Sequence, residues 1–229
     1  MSISVVIPAY NEGQVIAETI DKVHKFLASN YEKYQIVAVN DGSSDDTLRR
    51  IYSAPTSTVV SYGKNMGKGY ALRKGVEKAW GDIIVLYDAD MAYSLYYIKK
   101  AEKLLRYFDI VAGTRINSSR EASSMLRNTV SKGFAGYVDK TFHLSVSDTQ
   151  CGFKVFRNTA AKKLFPLTTL NGFAFDVEIF VLAEKYRYSI AELPVNPEPE
   201  VRPSRVNILC DAVSMAGDVR KIKRRARKM

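Results

Sequence analysis

Apolar and polar positions follow two alternating rhythms through the first half of the chain. Short apolar runs at residues 3–8, 35–40, 58–61, 83–87 and 110–112 have the length and β-branched content of buried strands. Between them lie stretches with helical spacing, after Asn11, after Ser43, and at residues 67–79 and 95–108. Asn11 with Gln14 three residues on, and Ser43 with Asp46, read as helix caps. Alternation with such short connections predicts an α/β fold, a mainly parallel sheet covered by helices on both faces. Ligands of such sheets bind beyond the carboxyl ends of the strands.

After Gly113 the rhythm changes. A long helix is expected at 121–142, a strand at 152–157, a helical segment at 159–165, a helix at 175–186 and a strand at 190–195. A proline-rich stretch at 194–203 ends the regular pattern. Residues 1–205 thus read as one domain and 206–229 as an amphipathic, basic helical tail. Within the long helix, Phe134, Tyr137, Val138, Thr141 and Phe142 form one apolar stripe. Two uses of it stay open: dipping into a bilayer interface, or packing on the protein's own core.

Composition narrows the setting. With 229 residues, 46% hydrophobic and 25% charged, the chain is ordinary globular material. No apolar run approaches the ~18 to 20 residues of a membrane span, and the apolar start is too short for a signal peptide. Cys151 and Cys210 are far apart and lack metal-ligand spacing, which suggests buried thiols in a reducing, cytoplasmic setting. The net charge of +10 is uneven: residues 220–228 carry seven cations and no anion. Such a tail suits an anionic surface, nucleic acid or the cytoplasmic leaflet of a membrane. Nucleic-acid binding is disfavoured, because no basic stripe with interleaved aromatics runs along the rest of the chain.

Polar residues gather where strands end: Pro8-Ala9-Tyr10-Asn11-Glu12, then Asn40-Asp41-Gly42-Ser43-Ser44-Asp45-Asp46, Asp88-Ala89-Asp90, and Gly113-Thr114-Arg115. Any one of these reads as a turn; four at one edge point to a ligand. Asp88 and Asp90 are the sharpest pair, since neighbouring carboxylates repel unless a cation joins them. Hard oxygen ligands suit Mg²⁺ or Mn²⁺, completed by water and phosphate oxygens. The glycine- and lysine-rich segment 63–69 follows the third strand, too late for a pyrophosphorylase loop, and no Gly-x-Gly-x-x-Gly follows the first, against a dinucleotide-binding dehydrogenase.

Val5-Val6-Ile7-Pro8-Ala9-Tyr10-Asn11-Glu12, Asn40-Asp41-Gly42-Ser43-Ser44-Asp45 and Asp88-Ala89-Asp90 resemble the opening motifs of family 2 glycosyltransferases of the GT-A, Rossmann-like fold. The second half, with Asp148-Thr149-Gln150-Cys151-Gly152-Phe153-Lys154-Val155-Phe156 and Phe173-Ala174-Phe175-Asp176-Val177-Glu178, resembles the dolichyl-phosphate β-glucosyltransferases and is similar to dolichyl-phosphate mannose synthases.

The resemblance implies an inverting transfer of a hexose from a nucleotide sugar to a polyprenyl phosphate, by an enzyme peripheral on the cytoplasmic face of a membrane. It implies that Pro8, Tyr10, Glu12 and Asp41 line the nucleoside pocket, with Lys68 and Gln150 also on the donor. Asp88 and Asp90 then hold donor and metal, Arg115 reaches the phosphates, and Asp148 orients the sugar or the acceptor. Arg127 and Ser131, together with Arg202, Ser204 and Arg205, receive the acceptor phosphate. Many mannose synthases carry Gln two residues after the second Asp, where this chain has Ala92. That departure favours UDP-glucose over GDP-mannose and removes one metal contact; the GDP-mannose reaction and a non-lipid acceptor stay open beside it. His24 and His143 fall outside every motif and read as structural.

Overall fold

The computed structural model describes residues 1–116, 125–172, 174–198 and 208–227; the side chains of 125–132 and 208–216 lie outside that description. Strands β1 (Ile3–Ala9), β2 (Tyr34–Asp41), β3 (Thr58–Tyr62), β4 (Ile83–Leu86), β5 (Ile110–Arg115), β6 (Lys154–Arg157) and β7 (Ile190–Val195) form one sheet in the order β3-β2-β1-β4-β6-β5-β7. β1 runs parallel to β2 and β4, β2 to β3, and β5 to β7, while β6 enters antiparallel between β4 and β5. This is the mixed, mainly parallel sheet of the GT-A type.

The inner strands are apolar on both sides because helices cover both faces. Helices α1 (Ile16–Asn30), α2 (Thr47–Tyr52) and α4 (Tyr96–Leu104) lie over the face carrying Val5, Ile7, Ile36 and Val85. Helices α3 (Lys68–Lys78), α6 (Asn158–Leu164) and α7 (Phe175–Lys185) cover Val6, Val37, Ile84 and Leu86 on the other. The alternation is kept in β6: Phe153 and Val155 enter the first core and Phe156 the second.

A third, smaller core joins α7 to α5 (Met125–Phe142) and α8 (Ile208–Ala226). Phe134, Tyr137, Val138 and Phe142 of α5 pack here with Val177 and Val181 of α7 and with Val219 and Ile222 of α8. The stripe therefore packs on the protein's own core, Val138 buried and Phe134, Tyr137 and Phe142 half-buried, the second of its two expected uses. Helical periodicity demands an apolar partner for such a stripe without saying which; here two helices supply it. The basic tail forms α8, a helix docked against α5 and α7. It buries Val219 and Ile222, turns Arg225 inward, and leaves Arg220, Lys221, Lys223, Arg224 and Arg227 exposed. Among the described residues no helix is long and apolar enough to cross a membrane.

Both expected caps are also corrected. α1 begins at Ile16 and α2 at Thr47, neither with a side-chain cap. Asn11 instead adopts a left-handed φ of 56° and accepts from the Ser44 amide at 2.8 Å, while Ser43 Oγ accepts from the Asn11 amide at 2.9 Å. These side chains stitch the loop after β1 to the loop after β2, a contact across 32 or 33 residues.

Candidate active site

The carboxyl ends of β1, β2 and β4 open on one edge of the sheet, and the acidic motifs sit there. Asp41, at the end of β2, is buried and accepts from the amides of Met66 and Gly67 at 2.8 and 2.9 Å. It thereby holds the segment that leads into α3. Gly42 has φ +66°, and a Cβ on it would lie 2.3 Å from the Lys64 backbone, so only glycine lets the two loops meet. Near the end of β1, Pro8 and Glu12 are half-buried and Tyr10 is exposed.

Asp88 leaves β4 toward the same segment. Its Oδ1 lies 2.6 Å from the Lys68 ammonium, at the first turn of α3. Burial alone would raise the Asp88 carboxyl, but Lys68, with Lys154 behind it, outweighs burial and holds it below the usual carboxylate range. Burial also works against the Lys68 charge, and there the Asp88 and Asp176 carboxylates win, holding the ammonium above its ordinary value. Asp88 is hemmed in from behind as well: a Cβ on Gly152 would lie 1.9 Å from its Oδ2. Gly152 belongs to the turn before β6, so the antiparallel strand delivers the second-half motif directly onto the tip of β4.

Asp90 is exposed, and its Oδ1 accepts from the Ala92 amide at 3.1 Å, closing a turn in which Met91 adopts φ 53°. Such a left-handed conformation is uncommon in a residue with a long side chain, and its place at this edge fits a loop shaped for function. The loop is braced twice: Thr19 Oγ1 of α1 donates to Ala89 O at 2.6 Å, and Ala92 O accepts from the Glu198 amide at 2.8 Å.

Arg115 and Asp148 form a bidentate pair. Nε donates to Oδ2 at 2.6 Å and Nη2 to Oδ1 at 2.9 Å. Two of the guanidinium's planar donors are therefore held by a carboxylate, where the sequence reading has the arginine on phosphates. Despite burial, the pair holds Asp148 below the usual carboxylate range. Gln150 is half-buried two residues on, in the turn that reaches Asp88. Arg127 and Ser131 fall on the backbone of α5, with side chains outside the described residues, as are Arg202, Ser204 and Arg205 altogether.

Three groups with no role in the sequence reading belong to this neighbourhood. Lys154, 1% exposed, donates to Asp176 at 2.8 Å and to Cys151 O. Glu178, 2% exposed, accepts from the loop at 169–170 and from Arg225. Arg73 of α3 donates to that same loop. A lysine in the middle of Gly-Phe-Lys-Val-Phe is the signal that was available, since lysine is almost never fully buried without a partner. Cys151 is buried and its thiol is pushed up by burial, as expected of a structural residue.

The chain matches the family described as Glycosyl transferase family 2 over residues 4–165. It is 32% identical to a dolichyl-phosphate β-glucosyltransferase of Dictyostelium discoideum, over 96% of this chain and 73% of that protein. With the human dolichyl-phosphate β-glucosyltransferase it shares 31% identity, over 85% of this chain and 66% of the relative. In fold it superimposes on a Mycobacterium tuberculosis glucosyl-3-phosphoglycerate synthase solved with Mn²⁺, UDP-glucose and phosphoglyceric acid. There the TM-score is 0.75 at 17% identity, covering 97% of this chain and 79% of that one.

Proposed function

The chain belongs to the family 2 glycosyltransferases, and from that premise we propose that it moves glucose from UDP-glucose to the phosphate of a polyprenyl, dolichyl-type lipid. The observation that carries this reading is the meeting of Asp88, Lys68 and Gly152 at one strand tip, where both halves of the motif set converge. The glucosyl choice follows the relatives' activity and Ala92, which stands where many mannose synthases have Gln.

Mg²⁺ or Mn²⁺ fits the donor set. Asp88 and Asp90 would offer hard oxygen ligands at a sheet edge, and the acidic charge of Asp88 already draws a cation, Lys68, to its Oδ1. Among the described residues no cluster of three or more His, Cys, Asp or Glu side chains surrounds them. Held there by Asp88 and Asp90, such an ion would supply positive charge to the departing diphosphate.

The protein's own groups do the rest. An acceptor phosphate has its second pKa near ~6, so at neutral pH it is largely dianionic and nucleophilic without a base. Its oxygen bonds to the anomeric carbon as the bond to the UDP oxygen breaks on the opposite face, inverting the centre and releasing UDP. Lys68 stands where the diphosphate departs and supplies preorganised positive charge. Asp148, kept ionised by Arg115, is a poor proton acceptor at neutral pH, and its role is to fix Arg115 and the sugar-facing turn.

Lipid acceptors require a membrane. The exposed Arg220, Lys221, Lys223, Arg224 and Arg227 of α8 are the proposed contact with the cytoplasmic leaflet, each cation near an anionic surface contributing about 1 kcal/mol.

One assay tests the whole reading: radiolabelled UDP-glucose and GDP-mannose are offered with polyprenyl phosphate in phosphatidylserine vesicles or in detergent, with and without Mn²⁺. Transfer from UDP-glucose that needs the metal is expected. Arg224→Glu combined with Arg227→Glu is expected to slow it on vesicles only. Transfer from GDP-mannose alone would overturn the sugar assignment, and equal vesicle rates the membrane face.

A further inference from the structure

Lys68 reaches Asp88 because the first turn of α3 is gripped from two sides. On one side Asp41 takes the Met66 and Gly67 amides. On the other stands the loop at 168–172, which has no regular structure of its own. Its Asn171 carbonyl accepts from the Gly69 amide at 2.7 Å. Arg73, one turn along α3, donates to Leu170 O at 2.7 Å, to Thr168 Oγ1 at 3.3 Å and to Asn171 Oδ1. The approach is close: a Cβ on Gly67 would lie 2.5 Å from Asn171 O, and one on Gly69 2.6 Å from Leu170 O.

Opposite Arg73, that loop is held by one buried carboxylate. Glu178 Oε2 accepts from the amides of Thr169 and Leu170 at 2.9 and 2.8 Å. Its Oε1 accepts from the Thr169 hydroxyl at 2.8 Å and from Arg225 Nη1 at 2.8 Å. Four donors thus fill the carboxylate's roughly four lone-pair sites. Glutamine at this position would turn an NH₂ group toward donors and leave part of the loop unheld. Arg225 is the only one of the four donors that comes from α8, and it also donates to Thr169 Oγ1 at 3.1 Å.

We propose that Glu178 is a positioning residue for donor binding: it holds the 169–171 loop, the loop holds the first turn of α3, and that turn sets the Lys68 ammonium at the diphosphate. Through Arg225 the seating of the basic helix α8 becomes part of the same linkage, so the helix proposed to meet the membrane also steadies the donor site. The inference rests on reading the Asp88 edge as the diphosphate site.

The test is calorimetric titration with UDP and Mn²⁺, together with amide hydrogen exchange across residues 66–72, on the wild type, Glu178→Gln, Arg225→Met, Lys68→Met and the Lys68→Met/Glu178→Gln double variant. Glu178→Gln is expected to weaken UDP binding about tenfold, the scale of a lost charged hydrogen bond, and to speed exchange at Gly69. Arg225→Met is expected to move both the same way, by about threefold, as suits a partly exposed pair. In the Lys68→Met background Glu178→Gln is expected to cost no further affinity, because its route to the ligand is gone. Full additivity of the two losses would overturn the proposal, as would unchanged UDP affinity in a folded Glu178→Gln protein. Should that variant fail to fold, unchanged affinity and exchange in Arg225→Met would overturn it equally. A wild type that binds no UDP identifies failure of the donor reading itself, in a measurement made before any variant is compared.

Discussion

Around β1 and β2 two acidic side chains are held by backbone amides, Asp41 by Met66 and Gly67 and Asp45 by Gly13 and Thr47, while Asp46 pairs with Arg49 and Arg50 at the surface. Around β5, β6 and α7 three buried or half-buried carboxylates are held by opposite charge: Asp148 by Arg115, Asp176 by Lys154, and Glu178 in part by Arg225. A backbone amide survives every substitution but proline, so the first arrangement shapes loops whatever the side chains on them. A side-chain cation can be lost, and its loss leaves a buried charge alone. The first region should thus answer mutation mainly in activity, the second mainly in stability. Asp88 belongs to both, with Lys68 of the first half before it and Gly152 of the second behind.

The contrast is broken most sharply at Lys154. Lys154→Met strands Asp176 in a site of almost no exposure and is expected to cost about 3–5 kcal/mol in urea unfolding. Adding Asp176→Leu should recover most of it. A single variant as stable as wild type would show that the pair is not a structural device. Asp90→Ala is the opposite case. An exposed carboxylate at a strand tip should cost little stability, yet turnover is expected to drop about 10³-fold, the upper range for one lost transition-state stabiliser. Near-normal turnover would refute its place in the metal site.

Gly152→Ala lies between the regions. Its methyl would collide with Asp88 Oδ2, and a displaced carboxylate is expected to cost about 10²-fold in turnover, in line with a 1 Å misplacement at a reacting centre. A crystal structure showing Asp88 unmoved with full activity would remove the argument. The smallest effect is in pH. Asp88 and Asp148 both sit below their ordinary values, so each contributes stability that is complete above the unfolded pKa of about 3.9 and is lost as pH falls through the lower folded value. Unfolding by urea between pH 6 and pH 3 should show a loss below about 4. Asp148→Asn should flatten that loss; an unaltered slope would mean that the Arg115 pair contributes nothing.

How much of this was legible in the sequence follows from the same contrast. The strands β1, β2 and β4 and their acidic tips are short-range patterns, apolar runs closed by polar ones, and they stand where the pattern puts them. Asn11 and Ser43 have the composition of helix caps, but a side chain at a turn chooses among all nearby amides, and the nearest belonged to a loop more than thirty residues away. The α5 stripe was legible as apolar while its partners, on α7 and α8, were a matter of tertiary placement. Lys154, Asp176 and Glu178 lie within quoted motifs, but which cation meets which carboxylate depends on β6 running against its neighbours and on α8 docking against α7. No local spacing encodes that.

The reversed strand also limits how this family member can change length. Side chains in β6 alternate between two packed layers, Phe153 and Val155 into one, Lys154 and Phe156 into the other. A single residue inserted between Gly152 and Lys154 would exchange the two sets, driving an ammonium into the layer beneath α1 and α4 and offering Asp176 a phenyl ring. A few positions earlier Ser145 and Ser147 are exposed but their amides are tied to Glu184 and Glu192, with Val146 buried between them, so an insertion there would cost these anchors while leaving the β6 register intact. Tolerance to insertion should therefore fall on approaching β6, which makes this short stretch the natural place to read, across relatives, where drift has been allowed and where it has been stopped.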